Sequence, residues 1–204
     1  GDAWKKYVGM ACGFVVAVSC ASGAWAAKTR SWTGTVVERK GDRLVVQKGE
    51  DKRRAFKLSG EVQIEKDRVI APADLKPGAI VRVSGRASKN TVEVTRLVVM
   101  PEDKAWRPAK SERRGPAYGD ESKYTQFLGR LEDASPLAVR NRFGQTVSLV
   151  LDEDSRLLAR SAAEVGAVRT GCRVQVTYEP AGKGGTAVRV QVKAPSRTEV
   201  SQAD

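Results

Sequence analysis

The 204-residue chain contains no histidine, and this absence removes several classes of function. Ser-His-Asp and Cys-His catalytic arrangements need an imidazole as the base. Histidine-based zinc and copper sites are excluded for the same reason. Met100 is the only methionine after the first segment of the chain, which is too few for a copper carrier that relies on methionine ligands. The sequence therefore predicts no metal site and no other cofactor.

Cysteine and aromatic residues are also scarce. Cys12 and Cys20 lie in the first segment, and only Cys172 is found in the rest of the chain. A single cysteine cannot form an internal disulfide, so the chain is not a disulfide-stabilised scaffold. Aromatic residues make up 6% of the sequence, which leaves few rings on which nucleic-acid bases could stack.

Motifs typical of enzymes are missing as well. The glycine-rich stretch at 181–186 lacks the spacing of a phosphate-binding loop and falls inside a predicted hairpin, where it fits a turn. The acidic stretch at 152–155 fits a solvated turn better than a calcium loop. Because no nucleophile, base or cleft with paired carboxylates can be identified, the sequence predicts a protein that is not an enzyme.

Positive charge is what the sequence has in excess. There are 36 Lys and Arg residues against 24 Asp and Glu residues, which gives a net charge of +12. This balance fits anionic partners such as nucleic acid, anionic lipid headgroups or acidic polysaccharide. It equally fits a basic surface that contacts only solvent, because net charge alone does not identify a ligand.

The first 26 residues have the pattern of a secretory signal peptide. Lys5 and Lys6 precede an apolar run at 8–18, and a small-residue cleavage site ends at Ala26. The apolar run is shorter than the ~20 residues that cross a bilayer. An alternative is a lipobox in which Cys20 would be lipidated and would anchor the protein to a membrane. Both interpretations predict an exported protein of the periplasm or cell envelope.

The remaining chain divides into two similar blocks, and glycine landmarks recur in both at nearly the same spacing. Gly34 and Gly78 are 44 residues apart in the first block, and Gly129 and Gly171 are 42 apart in the second. Such internal similarity is typical of two copies of one domain. The boundaries are 32–99 and 125–193, with a linker at 100–124 and a tail at 194–204 that we expect to be disordered.

Alternating apolar and polar residues predict short antiparallel strands in each block. In the stretch after Gly78, Val81 and Val83 would face the core while Arg82 would face water. A small sheet with one dry face buries it best by closing into a barrel, which also removes exposed edges. We therefore predict an all-β protein of two tandem small OB-like antiparallel β-barrels joined by the linker, each with a helical turn before its last hairpin.

The pattern Leu-x-x-Gly-x-x-Val-x-Val at residues 75–83, followed by a hairpin that ends in Val-Glu-Val-Thr-Arg-Leu-Val-Val, resembles a family of exported bacterial OB-like domains. The second block follows the pattern more loosely from Val168 to Val176. That family is catalogued mainly as a domain of unknown function. Ala79 and Cys172 stand where an Asp is common in it. The resemblance implies an architecture and an exported location, but no chemistry.

Binding is therefore the function that the sequence favours. OB-like barrels commonly bind ligands along one curved face, and arginine fits phosphate and carboxylate groups in a bidentate manner. The candidate anion-binding residues that alternation directs outward are Arg82, Arg86, Arg140, Arg142, Arg173 and Arg189. The first hypothesis is an envelope binding or scaffolding module for a polyanion or an acidic envelope protein. The alternatives are a nucleic-acid-binding OB-fold protein, which export disfavours, and a lipid-anchored envelope protein.

We predict that the native protein lacks its first 26 residues, because the basic start, apolar run and Ala-x-Ala site together direct cleavage after Ala26. Mass spectrometry of the N-terminus from the source organism should find a chain that begins at Ala27. A lipid-modified N-terminus at Cys20 would establish the alternative instead. An intact first segment on cytoplasmic protein would contradict export altogether.

Overall fold

A computed structural model describes residues 28–101 and 123–196 of the chain. These residues form an all-β structure of eleven strands and two single turns of 3-10 helix. The strands are β1 (Arg30–Lys40), β2 (Arg43–Lys48), β3 (Lys52–Val69), β4 (Ile80–Ser88), β5 (Thr91–Val99), β6 (Lys123–Ala134), β7 (Leu137–Asn141), β8 (Thr146–Val150), β9 (Arg156–Ala162), β10 (Arg173–Ala181) and β11 (Gly184–Val192). The 3-10 turns, Pro72–Asp74 and Val165–Ala167, precede the hairpins β4–β5 and β10–β11.

Five strands close into a small β-barrel, which we call the barrel. The strands β1, β2 and β3 form an antiparallel meander, β10 pairs with β1, and β11 pairs with β10. The barrel is closed because β11 also pairs in parallel with β3. Alternate side chains of each strand point inward, and among them Val36, Phe56 and Val176 are buried in one apolar core.

The strands β4 to β8 form a second ring. Here β4 pairs with β5 and β6, and the meander continues through β7 to β8. A short parallel pairing joins residues 91–93 of β5 to residues 148–150 of β8 and closes this ring. Val81, Leu97 and Val139 are buried in its core. Strand β9 links the two units, because it is antiparallel to β3 and parallel to β5.

The pairing of the hairpins differs from the predicted tandem arrangement, in which each block would close on itself. The barrel combines β1–β3 of the first block with the closing hairpin of the second block, and the second ring combines β6–β8 with the closing hairpin of the first. Alternation determines which face of a strand is dry, but it does not choose the partner strand. Since both hairpins carry the same pattern of valines, either can complete either ring.

Each closing hairpin is thus exchanged between the two blocks. The exchange joins the blocks through two equivalent backbone contacts. The amide of Gly78 donates to the carbonyl of Leu131 at 2.7 Å, and the amide of Gly171 donates to the carbonyl of Val36 at 2.8 Å. Gly78 and Gly171 have φ angles of +89° and +88°, which glycine adopts at no steric cost. Each glycine turns the chain into the first strand of a hairpin that then pairs with the other half.

Several predicted segments either lie outside the described residues or differ from the structure. The segment at 1–26 and most of the linker at 100–124 lie outside the described residues, although Tyr124 belongs to β6. Residues 52–69 form one continuous strand, β3, where the alternation predicts short strands. The tail predicted to be disordered from Ala194 onward differs in its first residues, since Ala194 is buried against Val98 and Leu158. Residues 197–204 of that tail lie outside the described part.

The exchanged pairing predicts a specific disulfide. Arg86 lies opposite Tyr124 in the β4–β6 pair, whereas self-closed blocks would place Glu179 of β10 opposite Tyr124. Directly opposed strand residues lie within the Cα separation that a disulfide spans. In a chain that starts at residue 28 and carries Cys172→Ser, the pair Arg86→Cys and Tyr124→Cys should oxidise within one molecule. The control pair Glu179→Cys and Tyr124→Cys should stay reduced, and the opposite result would refute the exchange.

Candidate functional site: a basic cleft between the barrel and the second ring

A small cleft lies where the barrel meets the second ring beside β9, and we call it the junction cleft. Its volume is about 220 Å³. It is lined by Thr33, Asp67, Arg96, Arg156, Leu158, Arg173, Lys193, Ala194 and Ser196. The cleft is polar because the inward faces of both units are occupied by their apolar cores, so that their outward faces meet here.

A buried carboxylate organises the floor of the junction cleft. The side chain of Asp67 is 0% exposed, and its Oδ1 accepts a hydrogen bond from Arg160 Nε at 2.8 Å. Its Oδ2 accepts from Arg96 Nη2 at 3.3 Å and from the Gln191 amide at 2.6 Å. These partners come from β9, β5 and β11, so one carboxylate ties together strands of both units. The pairing also compensates a buried charge that would otherwise be costly.

Arg156 holds the chain segment that follows β11. Its Nη2 donates to the carbonyl oxygen of Ala194 at 3.0 Å and also to that of Pro195. Ala194 packs on Val98 and Leu158, which are neighbours in the β5–β9 pair. This segment is thereby laid across the junction, and Lys193, which directly precedes Ala194, is brought into the cleft wall.

Lys193 is the cation whose environment is most perturbed. Its Nζ donates to the Oε1 of Gln175 at 2.8 Å. Burial lowers the pKa of Lys193 to about 8, and the charges of Arg96, Arg160 and Arg82 act in the same direction, while Asp67 opposes them. An ammonium group with this pKa is still mostly protonated near neutral pH. It is held there close to several other positive charges.

Arg96 shows the same crowding of positive charge. Burial lowers the pKa of its guanidinium group, Asp67 raises it, and Arg160 and Arg156 lower it further. Its Nε is buried and has no hydrogen-bond acceptor among the described residues. A buried donor without an acceptor is uncommon in folded proteins and calls for an explanation.

The charges of the cleft lining do not balance. Arg96, Arg156, Arg173 and Lys193 carry four positive charges, and Asp67 carries one negative charge, so the lining has an excess of three positive charges. Within the part of the chain that the structure describes, no group of His, Cys, Asp and Glu residues could hold a metal ion. The arrangement is therefore suited to binding an anion electrostatically.

The six predicted anion-binding arginines do not form one patch. Arg173 lines the junction cleft, and Arg82 is close enough to lower the pKa of Lys193. Arg140 forms an ion pair with Glu132. The remaining three lie elsewhere: Arg86 is exposed on β4, Arg142 lies 4.7 Å from the ring of Phe143, and Arg189 donates to Gln63 at 3.4 Å.

Sequence reasoning missed Asp67, Arg96, Arg156 and Lys193. Simple alternation fails at Arg96, because the β4–β5 register shifts between Ser84 and Gly85. Such a bulge changes which side chains share a face. Asp67 lies within a charged run that resembles an exposed strand end, and only its long-range partners reveal its burial. The sequence did indicate Lys193, because it continues the outward-facing alternation of Arg189 and Gln191 along β11.

Two larger depressions lack this concentration of charge. One of about 1100 Å³ lies at the mouth of the barrel near Ile64 and Val165. Another of about 610 Å³ lies beside Val69 and Leu151, and its rim carries the acidic residues at 152–154. Neither gathers several cations around a buried carboxylate, so the junction cleft is the stronger candidate for a binding site.

Comparisons with known proteins add no functional assignment. No family model matches the chain, and neither the curated proteins nor the solved structures contain a significant match. Among the described residues, no helix has the length and apolar character needed to cross a membrane.

We predict that Asp67→Asn destabilises the fold by about 3–5 kcal/mol, because it removes the closest carboxylate partner of the largely buried Arg160 and leaves it only Glu65, whose Oε2 lies 4.0 Å from Arg160 Nε. Asp51→Asn, at an exposed turn, is the matched control and should change stability by less than about 0.5 kcal/mol. Urea unfolding of both variants measures the difference. Equal stability of the two variants would show that Asp67 does not hold the junction together.

Proposed function

We propose that the protein is an exported binding module of the cell envelope, without catalysis, that holds an anionic ligand or an acidic protein partner. The observation that carries this proposal is the junction cleft, where four cations surround one buried carboxylate. Like charges that face a confined space raise the local concentration of counter-ions and favour anion binding. The two larger depressions described above lack a comparable concentration of charge.

The connectivity of the strands supports an OB-like description of both units. Each has a three-stranded meander whose third strand runs parallel to the last strand of a hairpin. We propose that the chain contains two OB-like units that have interlocked by exchanging these hairpins. OB-like barrels bind ligands on an outer face and in adjoining loops. The junction cleft has that position, because it is built from outward-facing residues of both units.

The proposed location depends on the sequence alone. The basic start, the apolar run at 8–18 and the cleavage site at Ala26 favour export, and these residues lie outside the described part of the structure. Lipidation at Cys20 is the alternative that would add membrane attachment.

The placement of the aromatic residues favours an anion or a protein partner over nucleic acid. The ring of Trp32 is covered by the protein's own cations, with Arg54 at 4.7 Å and Lys48 at 5.7 Å. Tyr178 is buried in the barrel core against Phe56. Proteins that bind single-stranded nucleic acid instead expose such rings for base stacking. Tyr124 and Phe143 are exposed, but neither lines the junction cleft, so the cleft itself has no ring for base stacking and fits electrostatic binding.

We predict that binding to an anionic polymer such as dextran sulfate falls steeply with added salt, because counter-ion release drives such contacts. Replacing Arg82 and Arg173 with Ser should weaken binding by about tenfold, since Arg173 lines the junction cleft and the charge of Arg82 acts on Lys193 in its wall. The control replaces Arg86 and Arg189 with Ser, which removes the same charge at exposed positions elsewhere. Titrations of all three proteins at two salt concentrations measure the effect.

Equal losses in the two double variants would show that the polymer contacts the whole basic surface and not the cleft. If the affinity changes neither with added salt nor with any of the four substitutions, an electrostatic function is contradicted and an apolar interface is indicated. Circular dichroism of each variant establishes that it remains folded, which is expected because these side chains are exposed or half-buried.

A further inference from the structure

We infer that the junction cleft is a site for one compact tetrahedral dianion, namely a phosphate group that is free or forms the end of a larger molecule. The inference rests on the proposed function, because it specifies the ligand class of the same site. It follows from the size of the cleft, the directions of its donors and its charge.

The size of the cleft limits the ligand. Sites for drug-sized molecules usually have volumes of about 300–1000 Å³, and the junction cleft has about 220 Å³. This volume admits a phosphate group with a short extension, but not several units of a polymer. A polymer could place only one of its anionic groups inside the cleft at a time.

The donors approach the cleft from different segments of the chain. Arg96 belongs to β5, Arg156 to β9 and Arg173 to β10, while Lys193 follows β11. A carboxylate is planar and is satisfied by one guanidinium fork. A tetrahedral oxyanion presents acceptor oxygens in several directions, so it can use donors that converge from separate strands. This convergence favours phosphate over carboxylate.

Two of these side chains have N–H groups without an acceptor among the described residues. Arg96 Nε is buried and has no acceptor among the described residues. The guanidinium group of Arg173 forms no side-chain hydrogen bond or ion pair with another described residue, and it is exposed at the rim of the cleft. A bound oxyanion can reach the exposed guanidinium group of Arg173, and it would contact Arg96 through the exposed part of that side chain, since its Nε has no accessible surface. It would also contact the second ring through Arg96 and the barrel through Arg173, so binding should stabilise the junction.

The charge of the lining matches a dianion. The four cations exceed the charge of Asp67 by three, so a ligand with two negative charges would leave an excess of one. Without a ligand, the repulsion among the cations opposes folding. The pKa of Lys193, lowered to about 8, is consistent with such repulsion in addition to burial. A bound dianion favours the charged lysine and should raise this pKa again.

Charged groups on four strands act on the pKa of Lys193, and Arg156 and Arg173 line the same cleft. Arg96, Arg160 and Arg82 lower its pKa from β5, β9 and β4, and Asp67 of β3 raises it. Gln175 of β10 accepts its hydrogen bond. Since the pKa of the free protein is about 8, the lysine loses its charge as the pH rises through this value. Dianion binding should therefore weaken above about pH 8 and be coupled to proton uptake there.

Isothermal titration calorimetry with inorganic phosphate tests the site directly. We expect one saturable site per chain, and a binding constant that falls about tenfold or more in Lys193→Met. Lys66→Met removes an exposed lysine of β3 and is the matched control that should bind normally. Lys193→Met should be at least as resistant to urea as the wild type near pH 7, because it removes a positive charge from a repulsive cluster. A loss of binding in this variant therefore cannot be attributed to unfolding.

Sulfate separates the titration of the protein from that of the ligand, because it remains a dianion across the whole pH range. Its affinity for the wild type should fall between about pH 7 and pH 9.5, and its affinity for Lys193→Met should stay nearly constant over the same range. An identical pH dependence in both proteins would overturn the role of Lys193 as a ligand of the dianion.

The source of the phosphate group is distinguished by two further probes. One probe is glycerol phosphate, and the other is vesicles of phosphatidylcholine that contain phosphatidic acid. If the protein binds glycerol phosphate but does not sediment with the vesicles, the ligand is a soluble phosphate ester. Sedimentation that Lys193→Met abolishes identifies a lipid headgroup, and either outcome supports the phosphate site. If no phosphate probe saturates while dextran sulfate still binds, the inference is wrong and the proposed function stands. If neither class of anion binds, both are wrong.

Discussion

The carboxylate of Asp67 is the interaction on which the junction of this protein depends. It is buried where β3 leaves the barrel, and it binds Arg160 of β9, Arg96 of β5 and Gln191 of β11. The guanidinium group of Arg160 is largely buried, and its charge is compensated by Asp67 at 2.8 Å and by Glu65 at 4.0 Å. The same carboxylate thus aligns the strands of both units and determines where Arg96 presents its remaining donors.

The exchanged hairpins explain why this junction exists. The five strands of the second ring all lie between Ile80 and Val150 in the sequence, which places them between β3 and β10 of the barrel. The chain must therefore pass between the two units twice, and β9 fills the gap by pairing with both. Two self-closed barrels on a linker would lack this fixed contact. They would also lack a cleft whose opposite walls come from different halves of the sequence.

The sequence predicted local features well, because local features depend on local chemistry. The corners at Gly78 and Gly171, the 3-10 turns before the hairpins and the inward faces marked by Val81 and Val174 all follow from turn and alternation patterns. The partner of each hairpin could not be predicted, since two similar hairpins can complete either ring. The cleft depends on that choice, so the roles of Asp67 and Arg96 could not be predicted from the sequence.

In the proposed function, the cluster of cations is a cost to stability that the anionic ligand offsets. Burial and neighbouring arginines lower the pKa of Lys193 to about 8, so below this pH the folded protein holds a charge that its surroundings disfavour. Between this value and the higher pKa of an unfolded lysine, the folded state binds fewer protons, and stability rises with pH. An anion in the cleft removes the penalty at neutral pH. In the proposed function, stability and binding therefore make opposite demands on Lys193, because the charge that would bind an anion is the charge that the free fold disfavours.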